Sequence, residues 1–197
     1  MDPITLLPET HRCFDQLATA QAATAAYIIG HAVQAGGTLP VFRPGNPISQ
    51  VCFTRPVELE FEPSEVLGPI SQLEWPSVIH LKFHAGAGRP PDMPRAYGVQ
   101  RLMGSLYEQA FVTYYEKNVA DMMTKYVNKR RFPVALGFGR IIRNAFAHGG
   151  TVNITDGLSA AWGGISYSDA ENGRKVLYND LSSGDLTLLM IEMDSHL

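Results

Sequence analysis

The chain has 197 residues, 45% of them hydrophobic and 18% charged, with a formal net charge of −3. This balance belongs to a globular protein that can bury a core without staples, and it excludes a disordered chain or a globally basic nucleic-acid binder. No run approaches the roughly 18 consecutive apolar residues of a membrane span. Met1-Asp-Pro-Ile-Thr5 lacks the basic-then-apolar pattern of a leader, so a cytoplasmic location with no membrane contact is expected. Cys13 and Cys52 match no metal spacing and read as two buried thiols.

From about Glu9 to Ala35 an alanine-rich pattern predicts a helix, stopped by Gly36-Gly37. Ten of the 13 prolines then fall between Pro40 and Pro94, which bars a long helix there. Within that tract Val57, Leu59 and Phe61 alternate with Glu58, Glu60 and Glu62, and Ile79, Leu81 and Phe83 alternate with His80, Lys82 and His84. Each run predicts a half-buried strand. Acidic side chains on one outer face and basic ones on the other favour pairing by roughly 0.2–1 kcal/mol per cross-strand contact. The two strands should therefore be neighbours, which explains His80 and His84 without a metal.

A second helical pattern runs from roughly Arg95 to Asn128, with Met103, Leu106, Tyr107, Ala110, Phe111 and Tyr114 on one face. Lys129-Arg-Arg131 and Pro133 end it, and Pro133 suits the first turn of a helix from about Val134 to His148. Gly149-Gly150 closes that helix. Gly137-Phe-Gly139 lacks the preceding strand and third glycine of a nucleotide loop. Ala160–Ser168 and Arg174–Asn179 flank Asn172-Gly173, a hairpin signal, and Trp162 should pack the hairpin onto the helices. Ser182 with Asp185 resembles a capping box opening a final helix. The expected architecture is mainly α. One domain spans 1–197, a helical bundle with a proline-rich, partly β insertion at about 37–94 and a C-terminal β-hairpin.

Charge is unevenly distributed. Between Asp121 and Asp156 there is no acidic residue, while Lys125, Lys129, Arg130, Arg131, Arg140 and Arg143 all lie there. A local patch of this kind attracts phosphate even on an acidic protein. On the helix inside it, Phe138, Ile141, Ile142, Ala145 and Phe146 share one face, and Arg140, Arg143, Asn144, Ala147 and His148 fall in the opposite half. Histidine moves protons near neutral pH, and arginine presents a fixed fork to phosphate oxygens. Asparagine can orient an imidazole without adding charge. The set suits phosphoryl transfer by acid–base catalysis, with no carboxylate cluster to hold a metal. A plainer alternative is that Arg and His meet the negative end of the helix dipole.

The run Arg143-Asn144-Ala-Phe-Ala-His148, closing an apolar helix and followed by Gly149, resembles the signature of the HEPN superfamily. The likeness covers Arg95 to Leu197, with a long helix before the motif and a hairpin and closing helix after it. It implies a small helical bundle that dimerises so that two motifs line one cleft. It further implies a metal-independent endoribonuclease of a toxin–antitoxin, abortive-infection or other defence system. On that basis His148 is the acid–base catalyst for attack of a ribose 2′-hydroxyl on the adjacent phosphate. Arg143 binds that phosphate and Asn144 orients the site, while Arg140, Lys129, Arg130 and Arg131 hold RNA phosphates. RNA, a second copy and an antitoxin protein are the implied partners, and no cofactor or metal is implied. The branch paired with minimal nucleotidyltransferases carries a tyrosine where this chain has Gly150, so nucleotidylation there is not expected. The alternative is a catalytically inactive HEPN module that binds a nucleotide or a protein partner.

Overall fold

The computed structural model describes residues 4–34, 36, 45–89 and 99–197. In chain order these form β1 (Ile4–Pro8), α1 (Phe14–Gln34), β2 (Ile48–Val51), β3 (Val57–Phe61), α2 (Pro63–Ser71), β4 (Val78–Ala85) and α3 (Val99–Tyr126). A 3-10 turn at Lys129–Arg131 leads to α4 (Val134–Ala147), β5 (Ala160–Trp162), β6 (Ile165–Tyr167) and α5 (Ser183–Asp194). The expected insertion limits at 37 and 94, and the start of the long helix near Arg95, lie outside the described residues. No described helix is long and apolar enough to cross a membrane.

The expectation of a mainly helical bundle is overturned. The fold is α+β, with five helices among the described residues beside a four-stranded antiparallel sheet of order β1-β4-β3-β2 and a two-stranded hairpin. Two strands escaped the sequence reading for identifiable reasons. β1 has only five residues between the chain start and a turn. In β2 the residue facing the core is Gln50, a polar side chain that breaks the apolar alternation. Its amide donates to the buried Tyr107 hydroxyl, and its Oε1 accepts from Thr187 Oγ1 at 3.4 Å. Because β1 precedes α1 yet pairs with β4, the sheet draws on both sides of α1. Leu59, Phe61, Ile79 and Leu81 of the sheet share one core with Phe111, Tyr114, Phe138 and Leu189 of the helices.

The paired strands are where their charges put them. β3 lies antiparallel to β4 with Glu58 opposite His84 and Glu60 opposite Lys82, so these side chains share the outer face. His84 Nε2 pairs with Glu60 at 2.9 Å, Lys82 Nζ with Glu62 at 3.4 Å, and His80 Nδ1 with Glu65 of α2 at 2.8 Å.

The hairpin expected between Ala160–Ser168 and Arg174–Asn179 is not formed; the first of these segments folds back on itself instead. β5 and β6 are joined by Gly163-Gly164, both with positive φ (58° and 81°), as a tight two-residue turn demands. Asn172 instead uses its side chain to imitate a strand partner: Nδ2 donates to the Ile154 carbonyl (3.0 Å) and Oδ1 accepts from the Ile154 N–H (2.7 Å). Trp162 is buried against Phe138, which also stacks on Tyr167 with ring centroids 5.4 Å apart.

Helix α5 ties sheet and helices together. The Ser182–Asp185 capping box is present, and the buried Asp185 carboxylate does more than cap. It accepts from the N–H groups of Phe53 (2.8 Å), Thr54 (3.1 Å) and Ser182 (2.8 Å) and from the Thr54 hydroxyl (2.6 Å). Gly184 lets that end of the helix press on β2, since a Cβ there would sit 3.0 Å from the Val51 carbonyl oxygen. Asp185→Asn would turn an amide N–H₂ toward backbone donors inside the core. The expected loss is about 3 kcal/mol in urea unfolding; a loss below about 1 kcal/mol would remove this clamp from the account.

Candidate functional site

Helix α4 carries the sequence motif, and its environment differs between its two ends. Over the first turns it is enclosed on more than one side. A Cβ on Gly139 would lie 2.8 Å from Met193 Cε of α5, and one on Gly137 would touch Ala160 of β5 at 3.8 Å. Gly139 therefore serves close packing of α5 on α4, whereas a Cβ at position 137 would make only an ordinary contact with β5.

That packing widens the buried arc beyond the apolar face read from the sequence. Arg140, expected on the open half, is only 5% exposed. Its Nη1 donates to Asp156 at 2.8 Å. A guanidinium this buried persists because a carboxylate neutralises it, and its role is to hold the 156–158 loop against α4.

Arg140 and Asp156 lie along a cleft of about 500 Å³ whose rim includes Lys129, Arg130 and Phe132. Lys129, Arg130 and the exposed Arg131 form no ion pair among the described residues. Asn128 caps this short turn, its Oδ1 accepting from the Arg130 N–H at 3.0 Å. Three cations are thus presented together at the N-terminal approach to α4.

The other end of α4 is open. Phe146 seats it edge-on against Phe111 of α3 with centroids 6.0 Å apart. Gly149 has φ +80°, and the Gly150 N–H donates to the Ala145 carbonyl at 2.8 Å, closing the helix by a left-handed turn. Ala147 and His148 are exposed there, and the His148 ring has no hydrogen bond or ion pair among the described residues. One turn back, Asn144 Oδ1 accepts from Arg143 Nη1 at 3.1 Å. Asn144 and His148 therefore lie one turn apart at the open end of the helix, and Arg143, five residues before His148, is linked to Asn144 by its Nη1.

Three residues of α3 complete the surroundings, and none was found in the sequence. Glu116 Oε1 receives both Nε and Nη2 of Arg143. Tyr115 lies buried beneath the arginines with its hydroxyl unpartnered. Burial pushes that phenol up to about 12 although Arg140 and Arg143 pull the other way, so it stays protonated at neutral pH. Glu108 approaches Gly150, whose added Cβ would be 3.6 Å from its Oε1, and burial holds its carboxyl above the ordinary carboxylate value. These partners lie on another helix, and only the antiparallel packing of α3 on α4 brings them near. Acids outside the basic window do the neutralising: Asp156, at its end, takes Arg140, and Glu116, upstream of it, takes Arg143.

Chemically, this end offers a free imidazole, a guanidinium with unspent donors and a carboxamide, all reachable from solvent. It holds no thiol: Cys13 lies beside Asp194 and Cys52 beside Gly184, where burial pushes both up to about 12. Chain comparison adds nothing to this geometry: no family model, no curated protein and no solved structure matches.

The two arginine pairs should respond differently to loss of their acids. Glu116→Gln acts on a solvent-screened pair and should change stability by less than about 1 kcal/mol. Asp156→Ala strands a buried guanidinium and should cost about 2 kcal/mol or more in chemical denaturation. Equal effects would show that the two arginines sit in equivalent environments after all.

Proposed function

We propose that the Arg143–Asn144–His148 end of α4 is the active site of a metal-independent endoribonuclease of HEPN type, acting in a defence or toxin–antitoxin system in the cytoplasm. The observation that carries this reading is the exposed, unpartnered His148 ring one turn from an Asn144–Arg143 pair. The proposal rests on the motif and on the helices that hold it, not on a helical-bundle architecture.

In the proposed reaction His148 accepts the proton of a ribose 2′-hydroxyl as that oxygen attacks the adjacent phosphorus. The bond to the 5′-oxygen of the next nucleotide breaks, that oxygen gains a proton, and a 2′,3′-cyclic phosphate and a 5′-hydroxyl result. Arg143 holds the non-bridging oxygens and stabilises charge that builds on them. Asn144 fixes Arg143 through Nη1. Glu116 competes with phosphate for Arg143, and an exposed pair worth under about 1 kcal/mol yields readily to it. The 14 residues of α4 span about 21 Å. A phosphate at His148 therefore cannot also reach Lys129, Arg130 and Arg131, so a single strand of several nucleotides must run along the helix.

One imidazole cannot be both base and acid in a single step. A two-fold dimer supplying a second His148 resolves this, and exposed Ala147 and Gly149 leave room for the approach. An antitoxin covering the same end would silence the enzyme.

A second reading, an inactive module that binds a nucleotide or protein partner, is favoured by one feature: Glu116 already occupies the Arg143 fork. Single-stranded RNA separates the two readings. The wild type should cut it in EDTA, leaving cyclic-phosphate ends and sparing a 2′-deoxy substrate, and His148→Ala should lose at least a hundredfold in rate while folding normally. Cleavage unchanged in that variant, or none by the wild type, excludes the ribonuclease. For assembly, Ala147→Trp should weaken a dimer seen by sedimentation; a wild type that stays monomeric at high concentration excludes the composite site.

A further inference from the structure

A second cluster of reactive side chains lies in the turn between β1 and α1, facing the last turn of α5. His11, Cys13 and Asp194 place one nitrogen, one sulfur and one oxygen within 4.8 Å of one another, and among the described residues no other group of three such side chains does so. His11 Nδ1 lies 2.5 Å from Asp194 Oδ2.

Without a further group this cluster is poorly satisfied. The Asp194 side chain is only 7% exposed, and its Oδ1 has no hydrogen-bond partner. His11 Nδ1 sits against Oδ2 as an ion pair but makes no hydrogen bond. Tyr114 is fully buried beside the same groups, its phenol feeling both Asp194 and Cys13, and its hydroxyl is unpartnered too. Unpaired polar atoms at this density inside a core are costly and call for a missing partner. A cation is the partner that fits. Asp194 carries one negative charge and Cys13 gains a second when its proton leaves on metal binding, which a dication cancels.

We propose that His11, Cys13 and Asp194 form a binding site for a borderline-soft dication, best matched by Zn²⁺. Imidazole nitrogen, thiolate and carboxylate are the three ligand types zinc accepts. Hard ions such as Mg²⁺ and Ca²⁺ are disfavoured by the sulfur. Bonds of about 2.0–2.1 Å to nitrogen and oxygen set tetrahedral ligands about 3.3 Å apart, so His11 and Asp194 need to separate by less than about 1 Å. Three protein ligands leave a fourth position, which solvent reaches past the partly exposed His11. Binding replaces the Cys13 S–H bond by a metal–sulfur bond and passes that proton to solvent, so uptake releases about one proton and tightens as pH rises. The ion ties the β1–α1 turn to the end of α5, joining the two termini of the fold through the core.

The test uses the intact chain, stripped with EDTA and loaded with Zn²⁺ or Co²⁺ alone. The expected results are one bound equivalent by elemental analysis and a melting temperature raised by Zn²⁺ but not by Mg²⁺. Co²⁺ should also give a near-ultraviolet thiolate-to-metal band that vanishes in Cys13→Ser and survives in Cys52→Ser. His11→Ala, a partly exposed position that should tolerate change, should lower Zn²⁺ affinity at least tenfold, so the proposal does not hang on a cysteine variant that fails to fold. RNA cleavage in EDTA below the melting point of the stripped protein should be unaltered, which keeps this site separate from His148. Wild-type protein that binds no Zn²⁺, or a thiolate band that persists in Cys13→Ser, overturns the proposal.

Discussion

The carboxylate of Asp185 is the anchor on which the two halves of this fold depend. It collects donors from the loop after β2 and from its own helix start, and so fixes α5 against the sheet at one end. Farther along, Met193 presses α5 into the space left by Gly139 of α4. One helix therefore transmits the position of the sheet to the helix that carries the candidate site. The cost of burying a carboxylate is offset only because every donor around it is in place, which makes the clamp specific as well as strong.

The same logic explains why the site sits where it does. α4 is enclosed by α3, α5 and β5 along most of its length; apart from Val134 at its start, it emerges at Ala147, His148 and Gly149. Enclosure converts Arg140 from a surface cation into a buried one that needs Asp156. Emergence leaves Arg143 on a screened ion pair that a stronger anion can displace. A basic window in the sequence thus divides into a structural arginine, an available arginine and an exposed basic turn at Lys129–Arg131.

Much of this was legible in the sequence, in proportion to how local the cause was. The charges of Glu58 to Glu62 against His80 to His84 were enough to pair β3 with β4, because cross-strand chemistry is written in alternation. The capping box at Ser182 and the glycine stop after His148 were equally local. What failed was long-range. β2 was hidden because a buried Gln50 satisfied by Tyr107 and Thr187 looks polar in sequence. The hairpin was placed on Asn172-Gly173 because that dipeptide mimics a turn, whereas its side chain serves the Ile154 backbone. Glu116 and Tyr115 could not be assigned before α3 was known to lie on α4. The cluster of His11, Cys13 and Asp194 joins opposite ends of the chain, and no spacing rule reaches that far.

The central claim is that RNA is handled along α4 and at its exposed end. Nuclear magnetic resonance of labelled protein titrated with a single-stranded oligonucleotide lacking 2′-hydroxyls, which can bind but not react, maps the contact surface without any turnover. Shifts at the His148 ring, the Arg143 Nε–H and the Gly149 and Gly150 amides, continuing to Lys129–Arg131, are the result expected here. Saturable binding that leaves those signals unmoved and perturbs another face would contradict it.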